Sequence, residues 1–225
     1  MMNNITAVIP VKGNSSRLPN KNILPFAGSN LLVNKIKNLK KTKGLKEIIV
    51  SSDSDTMLRM AEENGARAVK RPQDLADESR PFSDFLDYIA GIMQGEHLLW
   101  ACCTSPFVDY ELYNKAITLY YEKLTQGFDS LITVLPFKHF LLDKNGPFNF
   151  KPGKKHCNSQ DLPLYHVFTN GIILCPKANL EKWHYHFGPY CYRLEVDQKQ
   201  ALDIDTPYDY MFAVSLDKTD LSKIG

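Results

Sequence analysis

The chain has 225 residues, 44% apolar and 23% charged, the balance of a globular protein with enough chain to bury a sizeable core. Its 27 basic and 25 acidic side chains leave a net charge of +2, which argues against a nucleic-acid surface, and no apolar run approaches the ~20 residues needed to span a bilayer. Met1 to Asn4 carries no basic stretch, so no signal peptide is predicted, and five cysteines without framework spacing read as reduced thiols in a cytoplasm.

The first predicted strand is Ile5 to Val11, an apolar, β-branched run ending in a Gly/Asn/Ser loop. Leu32, Ile36 and Leu39 recur at helical spacing, and the Lys-rich stretch from Lys35 to Lys46 reads as a solvated helix face. Glu47 to Ser51 is a second strand, closed by Ser51-Ser52-Asp53. Met57, Met60 and Ala61 predict a helix ending near Gly65. Phe82, Phe85, Leu86, Ile89 and Met93 predict another. His97 to Cys102 has the composition of a buried strand, on which Cys102 and Cys103 would face opposite sides as small hydrophobes. Leu112, Ala116, Leu119 and Tyr120 form a further helical face, and Ser130 to Leu135 a strand. Strands alternating with helices imply βαβ units, hence an α/β domain with a parallel sheet.

The pattern breaks after Pro136. Residues 136–170 are rich in Pro, Gly, Lys and aromatics with little periodicity, which predicts an inserted segment within a single domain spanning 1–225. Its aromatics, including Phe148, Phe150, Tyr165 and Phe168, read as a subunit interface or subdomain core. Regular structure is predicted to return at Gly171 to Leu174, with a strand from Tyr192 to Val196. Thr206 then caps a last helix, with Pro207 at its first position and Asp209 near its positive end.

The loop after the first strand carries the most chemistry. Loops leaving the carboxyl ends of parallel strands are where such sheets bind ligands. Gly13 lets backbone N–H groups approach a phosphate, and Lys12, Arg17 and Lys21 add positive charge. The spacing matches neither a Walker loop nor a dinucleotide fingerprint, and a solvated basic loop is the competing reading. Asp203 and Asp205 are two residues apart, which on an extended strand puts both carboxylates on one face. Two such oxygens suit Mg²⁺; the competing reading is a helix cap and a solvated acid. His184 and His186 could share a face if extended, without partners at zinc-motif spacing.

The segment from Val11 to Asn22 resembles the signature loop of the sugar cytidylyltransferases, the enzymes that activate sialic acid, Kdo and related nonulosonic acids. The matches are Gly13, Ser15, Arg17, Leu18, Pro19, Lys21 and Asn22; Val11, Lys12, Asn14 and Ser16 depart from the pattern. The resemblance continues at Ile49 to Asp53, at Arg71-Pro72 with Leu75-Ala76, at Thr104-Ser105-Pro106, at Gln160 to Pro163, at Asn170-Gly171 and at Leu202 to Thr206. It implies a Rossmann-like nucleotidyltransferase fold with a mostly parallel sheet and an inserted dimerisation or acceptor segment. It implies transfer of CMP from CTP to an acidic sugar hydroxyl with release of pyrophosphate. Lys12, Gly13, Asn14, Ser15, Asn22 and Arg71 would bind nucleotide. Lys21, Arg17 and Asp205 would serve catalysis, and Asp203 and Asp205 would hold Mg²⁺. Cys102, Thr104, Ser105, Gln160, Asp161, Phe168 and Asn170 would form the acceptor side.

The acceptor side departs most from the family pattern. Cys102 stands where the family has Gln and cannot make the amide's paired hydrogen bonds. Phe168 stands where acylneuraminate enzymes have an Arg, and Ser159 or Asn158 replaces the basic partner of the Gln-Asp-Leu-Pro motif. Lys138, His139, His156 and Arg193 are candidate replacements. These changes predict an acceptor other than ordinary sialic acid. Two rival readings are a cytidylyltransferase acting on a phosphorylated or phosphonate acceptor, and a catalytically silent nucleotide-binding homologue. The expected partners are CTP, a small-molecule acceptor and a second copy of the chain, with no nucleic acid or membrane.

Overall fold

Strand β1 (Ile5–Pro10) is apolar on both faces: Ile5, Ala7 and Ile9 pack on one side of the sheet and Val8 on the other. A strand buried on both faces belongs at the centre of a parallel sheet. The computed structural model, which describes residues 4–13, 15, 17–76 and 79–218, places it there.

A two-residue ladder of β2 (Pro25–Phe26) and β3 (Ser29–Asn30) leads into helix α1 (Leu31–Lys41). Asn30 caps α1, its side chain accepting from the N–H of Val33 at 2.9 Å. There follow β4 (Leu45–Ser52), α2 (Asp55–Glu63), β5 (Arg67–Lys70), α3 (Phe82–Ile92), β6 (His97–Trp100) and α4 (Tyr110–Thr125). The chain continues through β7 (Ser130–Phe137), the short pair β8 (Leu142–Asp143) and β9 (Gly146–Pro147), then β10 (Tyr165–Pro176), α5 (Leu180–Trp183), β11 (Cys191–Glu195) and α6 (Pro207–Lys218).

Seven strands form one sheet in the order β11-β7-β10-β6-β1-β4-β5, parallel at every pairing except those of β10, which runs antiparallel to both β6 and β7. Helices α1, α2, α4 and α6 cover one face through Leu32, Ile36, Met57, Tyr113, Ile117 and Ala213. Helices α3 and α5 cover the other through Leu86, Ile89 and Leu180. This is the expected α/β fold: a mostly parallel sheet between helices. The parallel strands all end at one edge of the sheet, where the loops after β1, β4 and β6 converge.

Several elements differ from the sequence reading. Strand β5 was not anticipated, because Arg67-Ala68-Val69-Lys70 offers only two apolar residues at the sheet edge. Regular structure resumes at Tyr165 rather than Gly171, because pairing with β7 extends β10 back to Tyr165. The irregular stretch is therefore residues 138–164. The register of β10 shifts between Phe168 and Ile173, around Asn170 at φ 58°. Such bulges re-aim side chains beside sites. Residues 202–205 form no strand, so the Asp203–Asp205 pair does not rest on β alternation. Among the described residues no helix is long and apolar enough to cross a membrane, and all five cysteines are free.

Candidate active site

The loop after β1 is tied to the sheet by backbone first. The N–H of Val11 donates to the Ser51 carbonyl at 3.0 Å, and the N–H of Gly13 donates to Asp53 Oδ1 at 2.8 Å. A Cβ at Gly13 would lie 3.0 Å from the Ser54 Cβ, so glycine lets the loop pack against the start of α2. This corrects the expectation for Gly13: its N–H is directed to a carboxylate and not into the cleft. Asn14 lies outside the described residues. Asn22 is buried, donates to the Lys12 carbonyl at 3.0 Å and accepts from the Cys103 thiol at 3.2 Å. It joins the β1 loop to the β6 loop.

A cleft of about 520 Å³ opens at this edge. Lys12, Ser15, Arg17, Lys21, Asn22 and Arg71 line it. Asp203 and Asp205 enter from the segment before α6. Lys21 Nζ lies 2.8 Å from Asp205 Oδ1, and the Arg17 guanidinium grips both Asp205 oxygens at 3.0 Å. Asp205 is aimed by the cap of α6. Asp209 Oδ2 accepts from the N–H groups of Asp205 at 3.1 Å and Thr206 at 2.7 Å, while Thr206 Oγ1 accepts from the Asp209 N–H at 3.3 Å. This reciprocal cap agrees with the predicted helix start.

Asp203 sits deeper. Burial raises its carboxyl above the ordinary range, the nearby Asp205 adds to this, and a hydrogen bond from Thr104 opposes it. Its Oδ1 is buried without a hydrogen-bond partner among the described residues. A buried carboxylate oxygen left unpaired is costly unless a cation or donor completes it. The two acids thus face one cleft, although a cap and a loop place them there.

Arg71 is 3% exposed. Its Nη2 donates to the Ser51 carbonyl at 2.9 Å, and its guanidinium carbon stands 4.1 Å over the Phe85 ring. Burial lowers it to about 10, which leaves it charged at neutral pH. Phe82, Phe85 and Arg80 line this end of the cleft and were not anticipated as site residues. The helical period that assigned Phe82 and Phe85 to the core gives no hint that α3 begins at a cleft.

Of the residues expected on the acceptor side, Cys102, Thr104 and Asn170 line the cleft. Burial pushes the Cys102 and Cys103 thiols up to about 12. Ser105 lies beneath, its Oγ buried without a partner among the described residues. Four expected acceptor residues do not line the cleft: Ser105, which lies beneath it, Gln160, Asp161 and Phe168. Gln160 and Asp161 occupy an exposed turn in the irregular segment. Phe168 packs on Phe187, with ring centroids 5.3 Å apart. Nor do Lys138, His139, His156 or Arg193 line the cleft. His184 ends α5 at φ 52°, whereas His186 is buried among Phe82, Trp100 and Phe187 and is lowered to about 4 by that burial. Lys35 is the clearest correction. It is 1% exposed, not solvated, and points from α1 into the floor beneath Ser105.

A family model described as cytidylyltransferase matches residues 6–222. The pseudaminic acid cytidylyltransferase of Campylobacter jejuni is 28% identical, covering 94% of this chain and 95% of its own. The N-acylneuraminate cytidylyltransferase of Escherichia coli is 26% identical over 96% of this chain and 52% of its own length. Among solved structures, CMP:2-keto-3-deoxy-manno-octonic acid synthetase complexed with CTP superposes with a TM-score of 0.69, over 95% of this chain and 98% of its own. At 14% identity that likeness is one of fold.

Proposed function

Because the chain belongs to the cytidylyltransferase family and is a CTP-dependent nucleotidyltransferase, we propose that it transfers CMP from CTP to a hydroxyl of a nonulosonic-acid-like sugar. The acceptor oxygen bonds to the α-phosphorus, the bond to the β-phosphate oxygen breaks, and pyrophosphate and the hydroxyl proton leave. The observation that carries this reading is the single cleft in which Lys12, Arg17 and Lys21 meet Asp203 and Asp205.

In this reading Arg17 and Lys21 hold the triphosphate and the departing pyrophosphate, exchanging their contacts with Asp205 for phosphate oxygens. Their fixed positive charge neutralises what develops on the leaving group. Asn22 keeps the Lys12 backbone in place. Arg71, locked on Ser51 and Phe85, forms a flat, charged wall for the nucleotide. Catalysis is then positioning and electrostatics, without a covalent enzyme intermediate.

Asp203 and Asp205 fit Mg²⁺ by their chemistry: two carboxylates, one with an unpaired buried oxygen. Mg²⁺ is commonly held by one or two carboxylates together with substrate phosphates. When bound it would neutralise phosphate charge and lower the pKa of the attacking hydroxyl.

The named relatives act on pseudaminic and N-acylneuraminic acids. In this chain Cys102 lines the cleft and Phe168 is turned toward Phe187. Both features support a nonulosonic acid other than N-acetylneuraminate. The irregular segment exposes Leu142, Phe148 and Leu164, at 69%, 58% and 50%. Apolar exposure of this kind supports burial against a second copy, so the proposed enzyme is a cytoplasmic homodimer whose CMP-sugar product serves polysaccharide biosynthesis.

The test is pyrophosphate release with each of four nucleoside triphosphates and Mg²⁺, against pseudaminate, legionaminate, Kdo, N-acetylneuraminate and phosphorylated or phosphonate small molecules. CTP with a nonulosonic acid is the expected pair. Turnover confined to phosphorylated acceptors, or better use of ATP than CTP, overturns the reading.

A further inference from the structure

Lys35 lies in the middle of α1, on the face turned to the sheet. Its ammonium has three donors, and all three are used on neutral oxygens: the Ser105 carbonyl at 3.0 Å, the Val108 carbonyl at 3.1 Å and the Tyr113 hydroxyl at 2.9 Å. A lysine at 1% exposure without a carboxylate among these partners is an expensive residue to keep. Its carbonyl partners are the two ends of one turn, in which the Val108 N–H also donates to the Ser105 carbonyl. The upper side of that turn reaches the cleft. The Thr104 carbonyl accepts from the Ile204 N–H at 2.9 Å, which ties the turn to the residue that follows Asp203 in the chain. At the head of the same turn, Cys103 bonds Asn22, which holds the Lys12 carbonyl.

We propose that Lys35 is a positioning residue for cytidylyl transfer: from beneath the cleft it fixes the Thr104–Val108 turn, and through that turn the Asp203 carboxylate and the β1 loop. This rests on the reading of the cleft as the cytidylyl-transfer site. Lys35 touches no reacting atom. It acts because Thr104 and Cys103 each connect the turn it holds to one side of the cleft.

The groups facing Lys35 define how its charge behaves. They are Tyr113 from α4, Cys102 and Cys103 from the β6 loop, Asp109 at the cap of α4, and Asp203. Burial keeps the two thiols and the phenol protonated at neutral pH. Burial also lowers Lys35 itself to about 8, with the Asp109 and Asp203 carboxylates opposing the shift. Above that pH the neutral amine still has one N–H for each carbonyl and can accept from the Tyr113 hydroxyl, but the charge that strengthens both ties to the turn is lost. The rate should therefore fall on the alkaline side as Lys35 deprotonates.

The experiment measures kcat and KM for CTP against pH for the wild-type chain, Tyr113→Phe and Lys35→Met, with the acceptor identified by the screen above. Tyr113→Phe keeps the packing and removes one oxygen that stabilises the ammonium. Its alkaline midpoint should move to lower pH, because fewer hydrogen bonds favour the charged form. Lys35→Met should lower kcat about tenfold or more at pH 7 with KM for CTP within about twofold, the pattern of an interaction expressed in the transition state, and it should abolish that limb. Superimposable profiles for wild type and Tyr113→Phe overturn the proposal. So does a folded Lys35→Met that keeps its rate and its alkaline limb; if Lys35→Met does not fold, the Tyr113→Phe profile decides. A wild-type chain with no turnover of any acceptor overturns the site reading and this role together, whereas turnover unaffected by both variants overturns the role of Lys35 alone.

Discussion

The phosphate end of the cleft and the irregular segment at residues 138–164 are held by different means. At the proposed phosphate end, side chains are fixed to sheet backbone and to one another between separate elements: Arg71 to Ser51 of β4, Cys103 to Asn22, and Lys21 to Asp205. In the irregular segment the bonds stay within the segment. Leu141 N–H donates to Asn149 at 2.8 Å, Asn149 donates to the His139 carbonyl at 2.9 Å, and Lys138 donates to the Gln160 carbonyl at 3.0 Å. Packing there is aromatic and shallow, as in Phe140 against Phe150 at 4.9 Å. The segment thus satisfies polar groups internally yet leaves Leu142 and Phe148 exposed, the surface proposed above to meet a second copy. Lys12, Arg17, Lys21, Asp203 and Asp205 line one cleft of this chain, whereas Gln160 and Asp161 lie off it.

The largest expected effect breaks the first region. Asp205→Asn keeps the shape and removes the charge shared by Arg17 and Lys21. Turnover should drop by about 10²–10³-fold, the scale for losing one group that stabilises developing charge. CTP binding measured by thermal shift without metal should change little. Near-full activity at ordinary Mg²⁺ would remove Asp205 from both the catalytic and the metal roles.

The second region gives the next effect. Leu142→Glu combined with Phe148→Glu places charge on both exposed apolar positions of the hairpin. If the proposed dimer forms through this surface, sedimentation should show a dimer for the wild type and a monomer for the variant, with acceptor KM raised about tenfold and KM for CTP unchanged, the signature of lost uniform binding at one substrate. An unaltered mass with unaltered kinetics would mean that this surface serves neither assembly nor acceptor binding.

The same contrast explains what the sequence could reveal. Strand and helix periods located the large elements up to β7 and cap chemistry the start of α6, but β5, whose edge position needs little apolar surface, and the short α5 were not visible; the Arg17/Lys21 and Asp203/Asp205 pairs were visible as local motifs. Lys35 was misread because charge composition assigns a lysine to solvent, and only tertiary packing supplies the two carbonyls and the phenol that accept from it. Arg80 and Phe82 were missed because their place at the cleft comes from where α3 starts. Phe168 was placed near the acceptor by motif order, but the register shift of β10 and the Phe187 ring decide where it packs.

A smaller effect, confined to stability, comes from the opposite edge of the sheet. Glu47 accepts from Thr6 Oγ1 at 2.8 Å, Gln94 N–H at 2.7 Å and Arg67 Nε at 2.8 Å. Burial alone would raise its carboxyl, but these three hydrogen bonds outweigh it and hold the group below its ordinary value. Glu47→Gln should cost roughly 1–3 kcal/mol, the scale of a hydrogen bond to a charged group, with kcat unchanged. Because the folded value is depressed, this contribution is present above about pH 4.3 and is lost as pH falls through the folded value. Urea unfolding at pH 7 and at pH 3 measures it; an equal difference between variant and wild type at both pH values would show that the charge is not the source.

The smallest effect is expected at Cys102, and it separates a lining residue from a reacting one. Cys102 borders the cleft between the two regions, so its thiol is within reach of substrate. Burial pushes it up to about 12, with Asp203 adding to the shift and Lys35 and Lys21 only partly opposing it. At neutral pH the thiolate fraction is then on the order of 10⁻⁵, and the thiolate is the nucleophilic form. The Cys102 side chain therefore fills space at the cleft rather than reacting. Cys102→Ala should keep kcat and KM for CTP within about twofold, and Cys102→Ser should do the same, because neither removes charge or a backbone tie. Modification of the wild type by iodoacetamide should be slow at Cys102 and faster at Cys157, which lies in the exposed segment away from the cleft. A loss of a hundredfold or more in Cys102→Ala would assign the thiol a direct part in acceptor binding.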